Sequence, residues 1–272
     1  MDLITPDQAR DVLTSRSRLV PFLFAFVVYG WAGLTVPIML LFAGGWWLPK
    51  TIDRGPHLPA VPAILIDVLL LGLFGLQHSG MARPAFKAFL TRWVPEALER
   101  TVYIAMVCSV MWLIMLAWQP VPQEIWSAEG VLGTALDAGF WLGFVLVYVA
   151  TLVLNHFHLL GISQAYRQYV IRVPDATVDR LQVQGAYRLV RHPLMTGLLI
   201  SFWFASTFTV GHLVWALGLT GYILLGTYLE ERDLIARFGA AYRAYAAEVP
   251  PFFPAVLSPA ARARVRGLRR SQ

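Results

Sequence analysis

Apolar residues along this 272-residue chain fall into five long blocks, Leu19–Ala43, Ala60–Leu76, Val102–Trp118, Val131–Leu154 and Leu194–Leu229, with polar residues gathered in the connections between them. At a rise of about 1.5 Å per residue, roughly 20 residues cross a hydrocarbon layer of about 30 Å, so each of the first four blocks predicts one transmembrane helix. The fifth is too long for one ordinary crossing and barely long enough for two. Gly211-His212 near its middle offers a break, which predicts a hairpin of two short helices.

Composition agrees with a protein that lives in lipid: 57% of residues are hydrophobic and only 14% charged. The membrane segments and their connections use up nearly the whole length, leaving no room for a separate soluble domain. The expectation is one domain over 1–272: four transmembrane helices within 19–160, a loop, hairpin and C-terminal motif over 184–254, and a basic tail over 255–272. The single cysteine, Cys108, lies inside an apolar run and reads as a core residue, which leaves no disulfide framework or cysteine metal cluster. The first apolar run is too long for a removable signal peptide and counts as a permanent helix.

Charge sets the orientation. Arg10, Arg16 and Arg18 precede the first block; Arg83, Lys87, Arg92 and Arg100 lie between the second and third; Arg167, Arg172, Arg180, Arg188 and Arg191 follow the fourth. Arg232, Arg237 and Arg243, then Arg262, Arg264, Arg266, Arg269 and Arg270, follow the fifth, whereas only Lys50 and Arg54 occupy the opposite loops. The positive-inside rule places both termini in the cytoplasm, which requires an even number of crossings. The expected fold is an all-α integral membrane bundle of about five to six transmembrane helices, the last two forming the short hairpin. The net charge of +6 follows from this topology and from contact with anionic lipid, so no nucleic-acid partner is inferred.

With that orientation, chemically capable residues converge on the cytoplasmic side. "LQHSGMARP" brings Gln77, His78, Ser79 and Arg83; "LNHFHLLG" brings Asn155, His156 and His158; "YRLVRHP" enters the hairpin; "LEERDL" puts Glu230 and Glu231 at its exit. Polar groups meeting at a membrane boundary point to a functional site. Taken singly, each has a plainer explanation: arginines at helix ends snorkel to headgroups, and isolated histidines are commonly packing residues. His212 is assigned to packing, since the expected turn lies at the opposite end, and Asp67 and Asp137 have no evident cationic partner. No H-E-x-x-H or C-x-x-C-H motif supports metal or haem, and His156 and His158, two apart, face different sides of a helix.

"GAYRLVRHPLMTG", followed one hairpin later by "EERDLIARFGAAYRAYAAEVPPFFP", resembles the signature of the isoprenylcysteine carboxyl methyltransferase and phospholipid methyltransferase superfamily. Within it, "LQHSGMARPAFKAFLTRWVPEALERTVY", "LVLNHFHLLGISQAY" and "TFTVGHL" are most similar to the methanethiol S-methyltransferases, related to NnrU-like membrane proteins. The resemblance implies a bacterial inner-membrane enzyme with a cytoplasm-facing site. It implies S-adenosylmethionine as methyl donor, in contact with Gln184, Tyr187, Arg191, His192, Pro193, Leu194, Gly197, Glu230 and Glu231. The implied acceptor is a small apolar thiol, methanethiol, near Ser79 and Asn155. His78 or His156 would accept its proton and Arg83 or Arg191 would stabilise the thiolate. A different thiol, a prenylcysteine carboxylate or a lipid amine is an alternative acceptor in the same fold, and a non-enzymatic NnrU-like accessory protein is the alternative of another class. Two positions depart from the superfamily pattern: Ala186 stands where proline is common, and Met195 where tyrosine is usual.

Reporter fusions within 119–130 and at the C-terminus are expected to label opposite sides of the membrane. Label on the same side would contradict the even-crossing topology.

Overall fold

The computed structural model describes residues 6–173, 181 and 183–254, with side chains from residue 18 onward. Arg180 and the basic tail over 255–272 lie outside the described residues. Helices dominate, because in hydrocarbon every backbone N–H and C=O must be satisfied within its own segment. They are α1 (Pro6–Ala43), α2 (Ala60–Met81), α3 (Pro84–Leu90), α4 (Glu96–Ala117), α5 (Gly130–Val153), α6 (His156–Leu159), α7 (Ile162–Ala165), α8 (Pro193–Trp203), α9 (Val210–Phe238) and α10 (Ala240–Glu248). A π-helical turn, Tyr166–Ile171, continues α7, and a 3₁₀ turn, Gly185–Arg188, leads toward α8. Five helices, α1 from Arg18, α2, α4, α5 and α9, are long and apolar enough to cross a membrane.

The fifth block departs from expectation in two ways. Its helices are unequal, with 11 residues in α8 and 29 in α9. Their break lies at Phe204–Thr209, ahead of Gly211-His212, which forms the first turn of α9. Thr209 sets this start: its side-chain oxygen accepts the His212 amide at 3.0 Å, an ordinary N-cap. Gly211 is needed for close approach, since its amide donates to the Val121 carbonyl at 3.0 Å and a Cβ there would lie 3.2 Å from the Val121 nitrogen. The bundle also carries a small departure from all-α. Strand β1 (Glu124–Ser127) pairs antiparallel with β2 (Thr207–Thr209), and Trp126 stacks on Phe208 with centroids 3.9 Å apart.

This ribbon marks one end of the bundle, and the tightest core lies beside it. Trp118 is fully buried, donates from Nε1 to the Ile52 carbonyl at 3.1 Å, and packs edge-on against Phe42 and Trp215. His212 behaves as a packing residue, its Nε2 3.1 Å from the Phe202 carbonyl, and Cys108 is buried as expected. The carboxylates without an evident cation take backbone amides instead, Asp67 from Gln119 at 2.8 Å and Asp137 from Ser206 at 3.1 Å.

Two contacts carry the fold toward the opposite end, where the charged residues gather. Helices α5 and α8 meet backbone to backbone at Gly143 and Gly197: a Cβ on Gly197 would strike the Gly143 carbonyl and Val147, and one on Gly143 would strike Ser201. Small residues permit such approach inside membranes, where packing replaces the hydrophobic drive. Helices α2 and α9 run side by side, with Leu71 against Gly218 and Gly75 against Tyr222. A polar staple closes their far end: the Tyr222 hydroxyl is 2.7 Å from His78 Nδ1 and 3.1 Å from Ser79 Oγ.

Gly143→Val and Gly197→Val are each expected to destabilise the detergent-solubilised protein by about 1–3 kcal/mol through overpacking. Gly221→Ala, facing open space, serves as the control. Thermal unfolding checks this, and equal midpoints for all three variants would refute the close-contact account.

Candidate active site

The loop before α8 and the segment after α10 run alongside each other. Arg191 donates its amide to the Pro250 carbonyl at 2.8 Å and His192 to the Pro251 carbonyl at 3.0 Å. Pro193 then opens α8 at its first position, where a missing N–H costs nothing. The Thr196 hydroxyl donates to the Phe252 carbonyl at 2.6 Å, and Tyr245 Oη to the Tyr187 carbonyl at 2.6 Å.

Glu231 is the junction of these pieces. Its Oε1 accepts from Arg191 Nε at 2.8 Å, and Arg191 Nη2 and His192 Nε2 stand 2.8 and 3.0 Å from it. Arg191 Nη1 donates to the carbonyls of Ala246 and Val249 at 2.9 and 2.6 Å. The Arg191, His192 and Glu231 side chains are only 11%, 6% and 23% exposed, so breaking the pair would strand a shielded charge. All three guanidinium nitrogens are thus committed, two to Glu231 and one to the C-terminal segment, leaving little of the group to receive an anion. With Glu231 as acceptor, His192 carries its proton on Nε2. Its Nδ1 lies 3.7 Å from Glu230 Oε2, beyond hydrogen-bond range, and that carboxylate is half exposed.

A cavity of about 190 Å³ opens beside this junction. Leu154, Leu181, Leu194, Met195 and Leu234 give it apolar walls, and Tyr187, Arg191, His192, Glu230, Tyr242 and Tyr245 line the rest. Burial pushes the Tyr245 phenol up to about 12 and raises Tyr187 and Tyr242 above the ordinary phenol range, so all three are neutral donors at pH 7. Tyr242 is 1% exposed, and its phenol is buried beside the Glu231 carboxylate, which helps to keep it protonated.

The sequence-selected residues divide into three groups at this end of the bundle. Tyr187, Arg191, His192, Leu194 and Glu230 line the cavity; Glu231 stands behind it, and Pro193 shapes the helix start. Gly197 faces α5 and belongs to packing. Gln184 caps the 3₁₀ turn and is exposed. His78 and Ser79 sit at the Tyr222 staple, and Arg83 pairs with Asp233 at 3.2 Å on the surface. At about 100° per residue, Tyr222 and Glu231 point to opposite sides of α9, so His78 and the junction lie across that helix from each other. His156 forms the third group, its Nδ1 3.0 Å from Thr151 Oγ1 and its ring against Tyr29 and Tyr148. Asn155 turns the chain in the left-handed region (φ 68°), its side chain accepting the His158 amide. The structure thus brings Tyr187, Arg191, His192, Leu194 and Glu230 together at the cavity and sets His78 and His156 in clusters of their own.

Sequence reasoning missed Tyr242 and Tyr245 as site residues, although both stand in the quoted C-terminal motif. It also missed Tyr222, which an apolar run conceals. A larger cavity of about 350 Å³ lies at the ribbon end, with Thr207 of the "TFTVGHL" stretch in its wall, and its carboxylates, Asp53 and Asp137, anchor Thr209 and Ser206. Among the described residues no three His, Cys, Asp or Glu side chains gather to hold a metal ion.

No family profile and no solved structure matches the chain. Curated relatives do. Methanethiol S-methyltransferase 2 of Bradyrhizobium diazoefficiens is 38% identical over 88% of this chain and 91% of its own length. Methanethiol S-methyltransferase of Mycobacterium tuberculosis is 38% identical over 84% of this chain and 95% of its own. Nurim of Sus scrofa is 31% identical over 69% of this chain and 72% of its own. Identity at this level, spread across nearly the whole of both chains, makes this protein a member of the methanethiol S-methyltransferase family.

Proposed function

We propose that this chain transfers the methyl group of S-adenosylmethionine to methanethiol, releasing dimethyl sulfide, at the cytoplasmic face of a bacterial inner membrane. The observation that carries the reading is the make-up of the cavity: apolar walls, with Tyr242 and the half-exposed Glu230 carboxylate among the polar groups that line the rest.

Those groups fit the donor. Glu230 would accept from its amino group or ribose diol, and Tyr242 would turn its hydroxyl from Glu231 to an oxygen or nitrogen of the donor. When bound, the donor supplies an electrophilic methyl on a cationic sulfur. The cavity is smaller than the roughly 300–1,000 Å³ typical of drug-sized ligands, so it takes the reacting part of the donor while polar parts reach the half-exposed Glu230. Small volume and apolar walls favour methanethiol over a prenylcysteine, since a thiol this small offers no polar handle and needs none recognised. Arg191 and Glu231 hold the loop, α9 and the C-terminal segment in place around both reactants.

Calorimetry with S-adenosylmethionine and headspace detection of dimethyl sulfide test the reading. Glu230→Gln is expected to weaken donor binding by about 1.5–3 kcal/mol, and Tyr242→Phe by about 0.5–1.5 kcal/mol. Unchanged affinity in both folded variants would move the donor elsewhere, and wild-type protein that forms no dimethyl sulfide would overturn the activity.

A further inference from the structure

We infer that His192 is the base that takes the thiol proton, in place of His78 or His156; the inference rests on the methyl-transfer reading above. An alkyl thiol is a poor nucleophile until ionised, and its pKa lies at or above the ~8.5 of cysteine. Some group at the cavity has to accept that proton at neutral pH.

Among the described residues His192 is the histidine that lines the cavity, whereas Nδ1 of His78 and of His156 is taken up by Tyr222 and Thr151. Its ring is already oriented for the task. With Glu231 accepting, the neutral ring carries its proton on Nε2, Arg191 holds Glu231, and Nδ1 has a lone pair and no hydrogen bond among the described residues. A carboxylate that sets the tautomer of an imidazole and stabilises the imidazolium is the same device that orients a base in hydrolytic triads. The small thiol has apolar surface to rest on at Leu154, Leu194 and Met195.

The remaining cavity groups are poorer bases. The phenols of Tyr187, Tyr242 and Tyr245 are held protonated by burial, Arg191 is a committed cation, and the Glu230 carboxyl, which burial raises above its ordinary range, is the group assigned above to the donor.

In the step itself, the S–H bond breaks and an N–H bond forms at Nδ1. The thiolate lone pair forms the new S–C bond while the old S–C bond to the methyl breaks, its electron pair returning to the departing sulfur. The imidazolium stands between Glu231 and Glu230, and Glu230, half exposed, can pass the proton to water.

Groups facing His192 are Glu230 and Glu231 from α9, Tyr242 and Tyr245 from α10, Tyr187 and Arg191 from the preceding loop, and Phe252 from the C-terminal segment. The test uses full-length wild-type protein, His192→Gln, which keeps a donor for Glu231, and Glu230→Gln. It measures S-adenosylmethionine affinity by calorimetry and kcat for dimethyl sulfide formation against pH. Wild-type kcat is expected to rise with pH and level off below the pKa of the thiol. His192→Gln is expected to keep donor affinity and lose about 10²–10⁴ in kcat at neutral pH, the deficit shrinking as pH approaches the pKa of the thiol. Glu230→Gln should weaken the donor. Wild-type kcat that climbs only with ionisation of the thiol would overturn the inference even if His192→Gln failed to fold. So would a His192→Gln deficit that is constant with pH or confined to donor affinity. An enzyme that makes no dimethyl sulfide at all would instead overturn the underlying activity.

Discussion

The Glu231 carboxylate is the constraint on which the site end of this protein depends. Its Oε1 gathers two contacts from Arg191 and one from His192, and through Arg191 it fixes the carbonyls of Ala246 and Val249. A carboxylate this shielded at the edge of a membrane is tolerable only when fully paired. Satisfying it forces the loop before α8, the last turns of α9 and the segment beyond α10 into one arrangement. The cavity exists because those pieces meet there.

The rest of the bundle lets that junction form without carrying chemistry. Aromatic packing around Trp118 and the small ribbon close the far end, and the Gly143–Gly197 contact sets α8 hard against α5. Helix α8 is only about 16 Å long at 1.5 Å per residue. The extended Phe204–Thr209 stretch completes its course, and His192 is thereby brought level with Glu231 near the end of the much longer α9. Unequal hairpin arms thus deliver the histidine to the carboxylates.

Apolar blocks revealed the helices because lipid imposes a length and a composition that leave a strong trace in sequence. The motif residues from Tyr187 to His192 and at Glu230-Glu231 were legible as a unit for the same reason: charge at the mouth of an apolar run demands explanation. What was not legible was direction. Sequence placed His78, His156 and His192 at one end but gave no rotation about α2, α5 or α9, and rotation separates Tyr222 from Glu231 by about half a turn. The break at Phe204–Thr209 was hidden because Gly211 looked like a turn residue, whereas its lack of a side chain serves contact with Val121. Tyr242 and Tyr245 sat in a recognised motif, yet only the fold distinguishes a tyrosine that donates to Tyr187 from one buried beside Glu231.

The most direct test of the junction is a double-mutant cycle on Arg191→Met and Glu231→Gln, read as S-adenosylmethionine affinity and as thermal stability. If one shielded pair organises the site, the losses will be strongly non-additive, with a coupling of about 0.5–3 kcal/mol and a double variant scarcely worse than either single one. Additive losses would mean that Arg191 and Glu231 act independently, and the account of a single organising carboxylate would be wrong.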